Sequence, residues 1–98
     1  MFEKEVKKIL KKSLKIRKLK QEKLTNKDVF IQYDSAFDMF SMSFYENGIC
    51  REGISIDLDK GGYHDKSKKA VERSMEMLDN IIHEAELKKQ ESAVCQDV

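Results

Sequence analysis

Ninety-eight residues suffice for one domain and not for two, and 38% charged side chains, against about 25% in an average globular protein, predict a small core beneath a heavily charged surface. No apolar run approaches the roughly 18 residues of a membrane span, and the basic start is not followed by the apolar stretch of a secretory signal. Two distant cysteines, Cys50 and Cys95, signal neither a disulfide framework nor a zinc motif, so a cytoplasmic protein with free thiols and no cofactor is expected.

The formal net charge of +1 hides a separation along the chain. Residues 1–27 hold ten Lys and Arg17 against three acidic residues, a net +8, whereas residues 28–98 hold eight basic and fifteen acidic residues, a net −7. Such an asymmetry speaks about partners and steering rather than about fold. The two halves can neutralise each other, the basic face can stay solvated, or it can meet an acidic partner.

Residues 3–23 lack Gly and Pro, and Phe2, Val6, Ile9, Leu10 and Leu14 recur at helical spacing, with Lys4, Lys7, Lys8, Lys11, Lys15 and Lys18 opposite them. This predicts a basic amphipathic helix. Arg17 and Lys20 interrupt the stripe, so its last turns are expected to project or fray, and Thr25, Asn26 and Asp28 supply the turn that follows.

From Val29 the period changes to two. Val29, Ile31 and Tyr33 alternate with Phe30 and Gln32; after a loop at residues 34–36, Phe40, Met42 and Phe44 alternate with Ser41 and Ser43; beyond Asn47-Gly48, Ile54, Ile56 and Leu58 alternate with Ser55, Asp57 and Asp59. These are three strands, the last two forming a hairpin. A plain two-residue turn at Asn47-Gly48 would set Phe40 opposite Ser55 and mix the faces. A three-residue loop sets Phe40 against Ile54 and Phe44 against Cys50 on one side, so such a loop, or a bulge of equal parity, is expected, with Gly48 at positive φ.

Gly61-Gly62 ends the third strand, and Asp65 or Ser67 can cap a helix from about Ser67 to Lys89, along which Val71, Met75, Leu78, Ile82 and Ala85 mark the core side and Glu72, Glu76, Asp79 and Glu86 the outer side. Residues 91–98 carry no pattern and are expected to be a disordered or frayed tail. The expected architecture is α+β: a single domain over residues 1–90, with a helix, a three-stranded antiparallel meander and a helix (αβββα), both helices on one face of the sheet.

Catalytic chemistry finds little to build on. Asp57, Asp59, His64 and Asp65 fall within nine residues and offer oxygen and imidazole ligands for a divalent ion, the basis of a metal-dependent enzyme reading. Acidic residues on the wet side of a strand serve solubility equally well. His83 lies among Glu76, Asp79 and Glu86 on a polar helix face. Cys50 and His64 sit at opposite ends of one strand, too far apart for a nucleophile and its base. No phosphate-binding glycine loop is present, because Gly61-Gly62 is followed by no Lys-Ser or Lys-Thr in the required spacing. The protein is therefore expected to be non-enzymatic.

Partner binding has two candidate surfaces. Phe37, Met39 and Tyr45 fall on the sheet face away from the helices, among Ser41, Ser43 and Asp57, as an exposed apolar stripe. The basic helix presents Lys7, Lys8, Lys11 and Lys15. Its single Arg and lack of aromatics beyond Phe2 offer nothing for base readout or stacking, so binding of nucleic acid would be sequence-independent. No Trp or Tyr anchors it to a membrane.

Ser67-Lys68-Lys69-Ala70 opens the last helix of an αβββα order, and in this the chain resembles the double-stranded-RNA-binding domain, whose second helix begins with phosphate-contacting lysines. The resemblance implies that fold and a role for Lys68 and Lys69 on a nucleic-acid backbone. The sequence departs from that family at Glu72, where the family repeats a lysine, and in the loop after the first strand, which lacks the Gly-Pro and His signature. The leading expectation is a small adaptor, inhibitor or regulatory protein acting through protein contacts, with opposite charges that also suit a homodimer; nucleic-acid binding is the second reading.

Overall fold

The computed structural model describes residues 3–58 and 64–96, with side chains for residues 4–58 and 68–91. The elements run α1 (Glu3–Gln21), β1 (Lys27–Asp34), β2 (Met39–Glu46), β3 (Ile49–Asp57) and α2 (His64–Gln96), and the strands form one antiparallel sheet in the order β1-β2-β3. This is the α+β, αβββα layout that the change of period predicts. Phe2, Asp59 and Gly61-Gly62 lie outside the described residues.

Alternation in β2 divides the sheet. Phe40, Met42 and Phe44 are buried, and with Ile54 and Ile56 of β3 they join Ile9 and Ile16 of α1 and Val71, Leu78 and Ile81 of α2 in one cluster. Val29 and Ile31 of β1 pack against the same cluster. Met39, Ser41, Ser43 and Tyr45, the intervening residues of β2, take no part in it.

The hairpin takes the second of the two expected forms, a bulge of even parity, and not the three-residue loop. Asn47 and Gly48 both have positive φ, 54° and 80°, so the connection is a two-residue turn of the type I′ kind. Glu46 pairs with Ile49 and Tyr45 with Cys50, but Phe44 pairs with Glu52, which leaves Arg51 as the extra residue of a β-bulge. Beyond the bulge Phe40 meets Ile56 and Met42 meets Ile54, not the Phe40–Ile54 and Phe44–Cys50 pairs of a three-residue loop. The physical reason is that a tight Asn-Gly turn suits strand twist, and one inserted residue then restores burial of every apolar side chain.

α1 also differs from its expected face. Ile9, Ile16 and Leu19 are buried, whereas Leu10 and Leu14 are 42% and 65% exposed. Ile9, Ile16 and Leu19 fall within about 80° of one another at 100° per residue, so the core stripe continues to the last turn and that turn is docked, not projecting. The helix ends in a Schellman arrangement: Leu24 N–H donates to the Leu19 carbonyl and Lys23 N–H to the Lys20 carbonyl, both at 2.9 Å, with Lys23 at φ 61°. A lysine stands where glycine is usual.

α2 spans about 50 Å, longer than strands of roughly 30 Å can cover. Its buried positions stop at Ala85, and residues 86–91 are all exposed. It nevertheless continues to Gln96, where the sequence pattern suggested a tail, because no Gly or Pro intervenes to stop it. Ser74 is wholly buried in this helix, with its hydroxyl donating to the Ala70 carbonyl at 2.7 Å.

Candidate functional site

Pairing fixes what the second sheet face carries. In antiparallel strands, directly opposed residues share a face. Asp28 opposes Tyr45, Phe30 opposes Ser43, Gln32 opposes Ser41 and Asp34 opposes Met39, while Ser41 opposes Ser55 and Ser43 opposes Gly53. The middle of this face is therefore floored by small side chains, with larger apolar groups around them. Phe30 is 57% exposed and Phe37, in the β1–β2 turn, 71%. Met39 and Tyr45 are half-buried.

Phe37, Met39 and Tyr45 do not form one continuous stripe. Met39 and Tyr45 stand at opposite ends of β2, about 20 Å apart for six residues of strand. Phe37 and Met39 line a shallow groove with Gln32, Asp34 and Ser41. Tyr45 borders a separate groove, together with Arg51 of the bulge and Met77, Asn80 and Glu84 of α2. Between these ends sits Phe30, not among the residues expected on this face, though its alternation with Val29 and Ile31 places it there.

The β1–β2 turn is built tightly. Asp34 Oδ1 accepts the Ala36 N–H at 2.9 Å, and Asp38, at φ 48°, accepts the Tyr33 hydroxyl on Oδ1 at 2.7 Å. The Asp38 carbonyl also accepts the Leu58 N–H at 2.9 Å, tying the turn to the end of β3. The hydrogen bond to Asp38 holds the Tyr33 phenol above its ordinary pKa, with desolvation and the charges of Asp38 and Asp34 acting the same way. Phe37 is thus carried on a braced turn.

Charge on α1 is divided between two sides. Lys15 Nζ donates to Glu86 at 2.7 Å and Lys12 pairs with Asp79, so this flank faces α2; Lys27 at the start of β1 reaches Glu84 at 3.3 Å. Lys20 pairs with Asp28 on the β1 side. Lys15 keeps the Glu86 carboxyl below the usual carboxylate range, first by its hydrogen bond and then by its charge, with smaller help from His83 and Lys89. Part of the sequence's charge separation is therefore neutralised between the helices.

Lys7, Lys11 and Lys18 lie within about 40° of one another on the outward side of α1 and are exposed. Lys8 is exposed on the flank that carries Lys15. Lys68 and Lys69, near the start of α2, are exposed as well, and Glu72 follows one turn later. Arg73 pairs with Glu52 across to β3.

The acidic cluster weighed for a metal falls only partly within view. Asp57 ends β3 and takes part in an interaction there, Asp59 lies outside the described residues, and His64 opens α2 with its side chain outside them. Among the described residues no group of three His, Cys, Asp or Glu is placed to hold a metal ion, and no helix is long and apolar enough to cross a membrane. His83 is exposed, as is Cys50 on the hairpin.

No protein-family model, curated protein or solved structure matches this chain.

Proposed function

We propose that the protein is a small, non-enzymatic, cytoplasmic binding protein that docks another protein on the sheet face opposite its core, in the manner of an adaptor or inhibitor. One observation carries this reading: Phe30 on β1 and Phe37 in the β1–β2 turn stand exposed on a face whose side chains take no part in the core cluster, on a sheet packed from behind. Exposed aromatic groups on a rigid scaffold are the usual anchors of protein interfaces, because they bury large area at little entropic cost. Small residues around them let a partner approach the sheet closely.

The test compares immobilised wild type with Phe30→Ser and Phe37→Ser in capture from an extract of the source cells, read by quantitative mass spectrometry. The proposal expects a retained protein that both variants lose while their unfolding curves stay near that of wild type. Equal retention by all three contradicts it.

A second reading rests on the three outward lysines of α1, Lys7, Lys11 and Lys18, for which Lys68 and Lys69 supply further positive charge: sequence-independent binding of nucleic acid. It predicts retention on duplex RNA or DNA at about 50 mM salt and steep loss as salt rises. No retention at low salt removes it.

A further inference from the structure

Leu10 and Leu14 face solvent because they lie about 100° and 140° around α1 from the buried Ile9. The same turns carry Lys7, Lys11 and Lys18 on one side of the leucines and Arg17 on the other, all exposed. The outward side of α1 is thus a second apolar strip with cations along both sides, although Glu22 also borders Leu14 and Lys18. The groove on the open sheet face is its complement: Phe37 and Met39 supply apolar walls, Asp34 supplies a carboxylate, and among the described residues no basic side chain lines it. A sheet buries a free face most readily under an amphipathic helix, and this helix has the charge that the groove lacks.

We propose that a second copy of this chain is the occupant: the Leu10 and Leu14 strip of α1 in one copy docks on the Phe30, Phe37 and Met39 face of the next. The inference rests on the reading of that face as a docking surface and names its partner. The inner side of α1 contributes to the core behind the sheet, so its outer strip and the open sheet face point away from each other and cannot meet within one copy. The contact is heterologous, and successive copies add head to tail without a two-fold axis to close the assembly. Because cations meet a carboxylate at its rim, association weakens as salt rises.

Sedimentation velocity over a range of concentrations provides the test. Wild type is expected to grow past the dimer as concentration rises and to revert with added salt. Leu14→Asp damages the helix strip and leaves the sheet face intact; Phe37→Asp does the reverse. Each alone is expected to associate about tenfold or more weakly than wild type. Mixed in equal amounts they restore one intact contact, so they form a dimer that grows no further. Both positions are exposed, and circular dichroism melting checks that both variants fold.

A wild type that stays monomeric at all concentrations overturns the proposal, as does a mixture of variants that forms nothing. Neither result touches the docking surface itself if Phe37→Ser still loses a captured protein. A symmetric dimer that never grows further also contradicts the head-to-tail arrangement.

Discussion

The two faces of β2 are made from neighbouring residues of one eight-residue strand, yet they meet opposite fates. Phe40, Met42 and Phe44 sit in the core cluster, while Met39, Ser41, Ser43 and Tyr45 stay outside it. Both faces contain large apolar side chains. What separates them is coverage: one face meets Ile9 and Ile16 of α1 and Val71, Leu78 and Ile81 of α2, and the other has its apolar groups at the ends and small polar groups between. The first arrangement stabilises the fold, and the second leaves large apolar groups facing solvent.

Truncation should expose the contrast most sharply. Met42→Ala or Ile56→Ala removes a fully buried side chain and is expected to cost about 2–5 kcal/mol in urea unfolding, through lost burial and a residual cavity. Phe30→Ser on the other face should stay within about 0.5 kcal/mol of wild type. Comparable costs on the two faces would mean that the open face is also core.

Backbone strain offers a smaller effect, independent of either face. Lys23 holds a left-handed conformation at the α1 terminus, where a side chain costs about 1 kcal/mol relative to glycine, so Lys23→Gly should raise stability by about that amount. Gly48→Ala should act in the opposite sense: a Cβ there meets nothing within 4 Å, and only the φ of 80° opposes it. Equilibrium denaturation of the two variants checks both signs.

The smallest effects are pH-dependent. Glu86 has a folded pKa below its unfolded one, so its contribution is present above the ordinary carboxylate range and is lost as pH falls through the folded value. Glu86→Gln should flatten the acid limb of a stability profile. Tyr33 has the opposite sign: its folded pKa is raised, so its contribution is present below the ordinary phenol range and disappears as pH climbs through the folded value. Tyr33→Phe should remove that alkaline dependence.

The element order was legible because the hydrophobic period changes from 3.6 to 2 near Val29 and back again before Val71. Parity in the hairpin was legible too, since only an even register buries Phe40, Met42 and Phe44 with Ile54 and Ile56. The position of the bulge at Arg51 was not, because parity alone cannot say where the extra residue enters. In α1, Arg17 and Lys20 obscure a stripe that Ile16 and Leu19 continue, and Leu10 and Leu14, which share the helical spacing of Ile9, turn outward. The pairing of Lys12 and Lys15 with Asp79 and Glu86 joins residues more than sixty positions apart, and no local pattern announces such contacts.

The candidate surface followed the same division. Phe37 and Met39 share a groove, as their closeness in sequence suggested, whereas Tyr45 belongs to the far end of β2. Phe30 carried the needed signal in its alternation, but an aromatic residue in a strand is easily credited to the core until pairing shows its side.

Methionine oxidation measures the two faces within one peptide. Met39 and Met42 lie three residues apart on β2 and point to opposite sides, one half-buried on the open face and the other 1% exposed in the core. Under dilute peroxide in native buffer, followed by mass spectrometry, Met39 should oxidise first and Met42 only at the rate of unfolding. Equal rates, or Met42 oxidising first, would contradict the division of the sheet on which the proposed function rests.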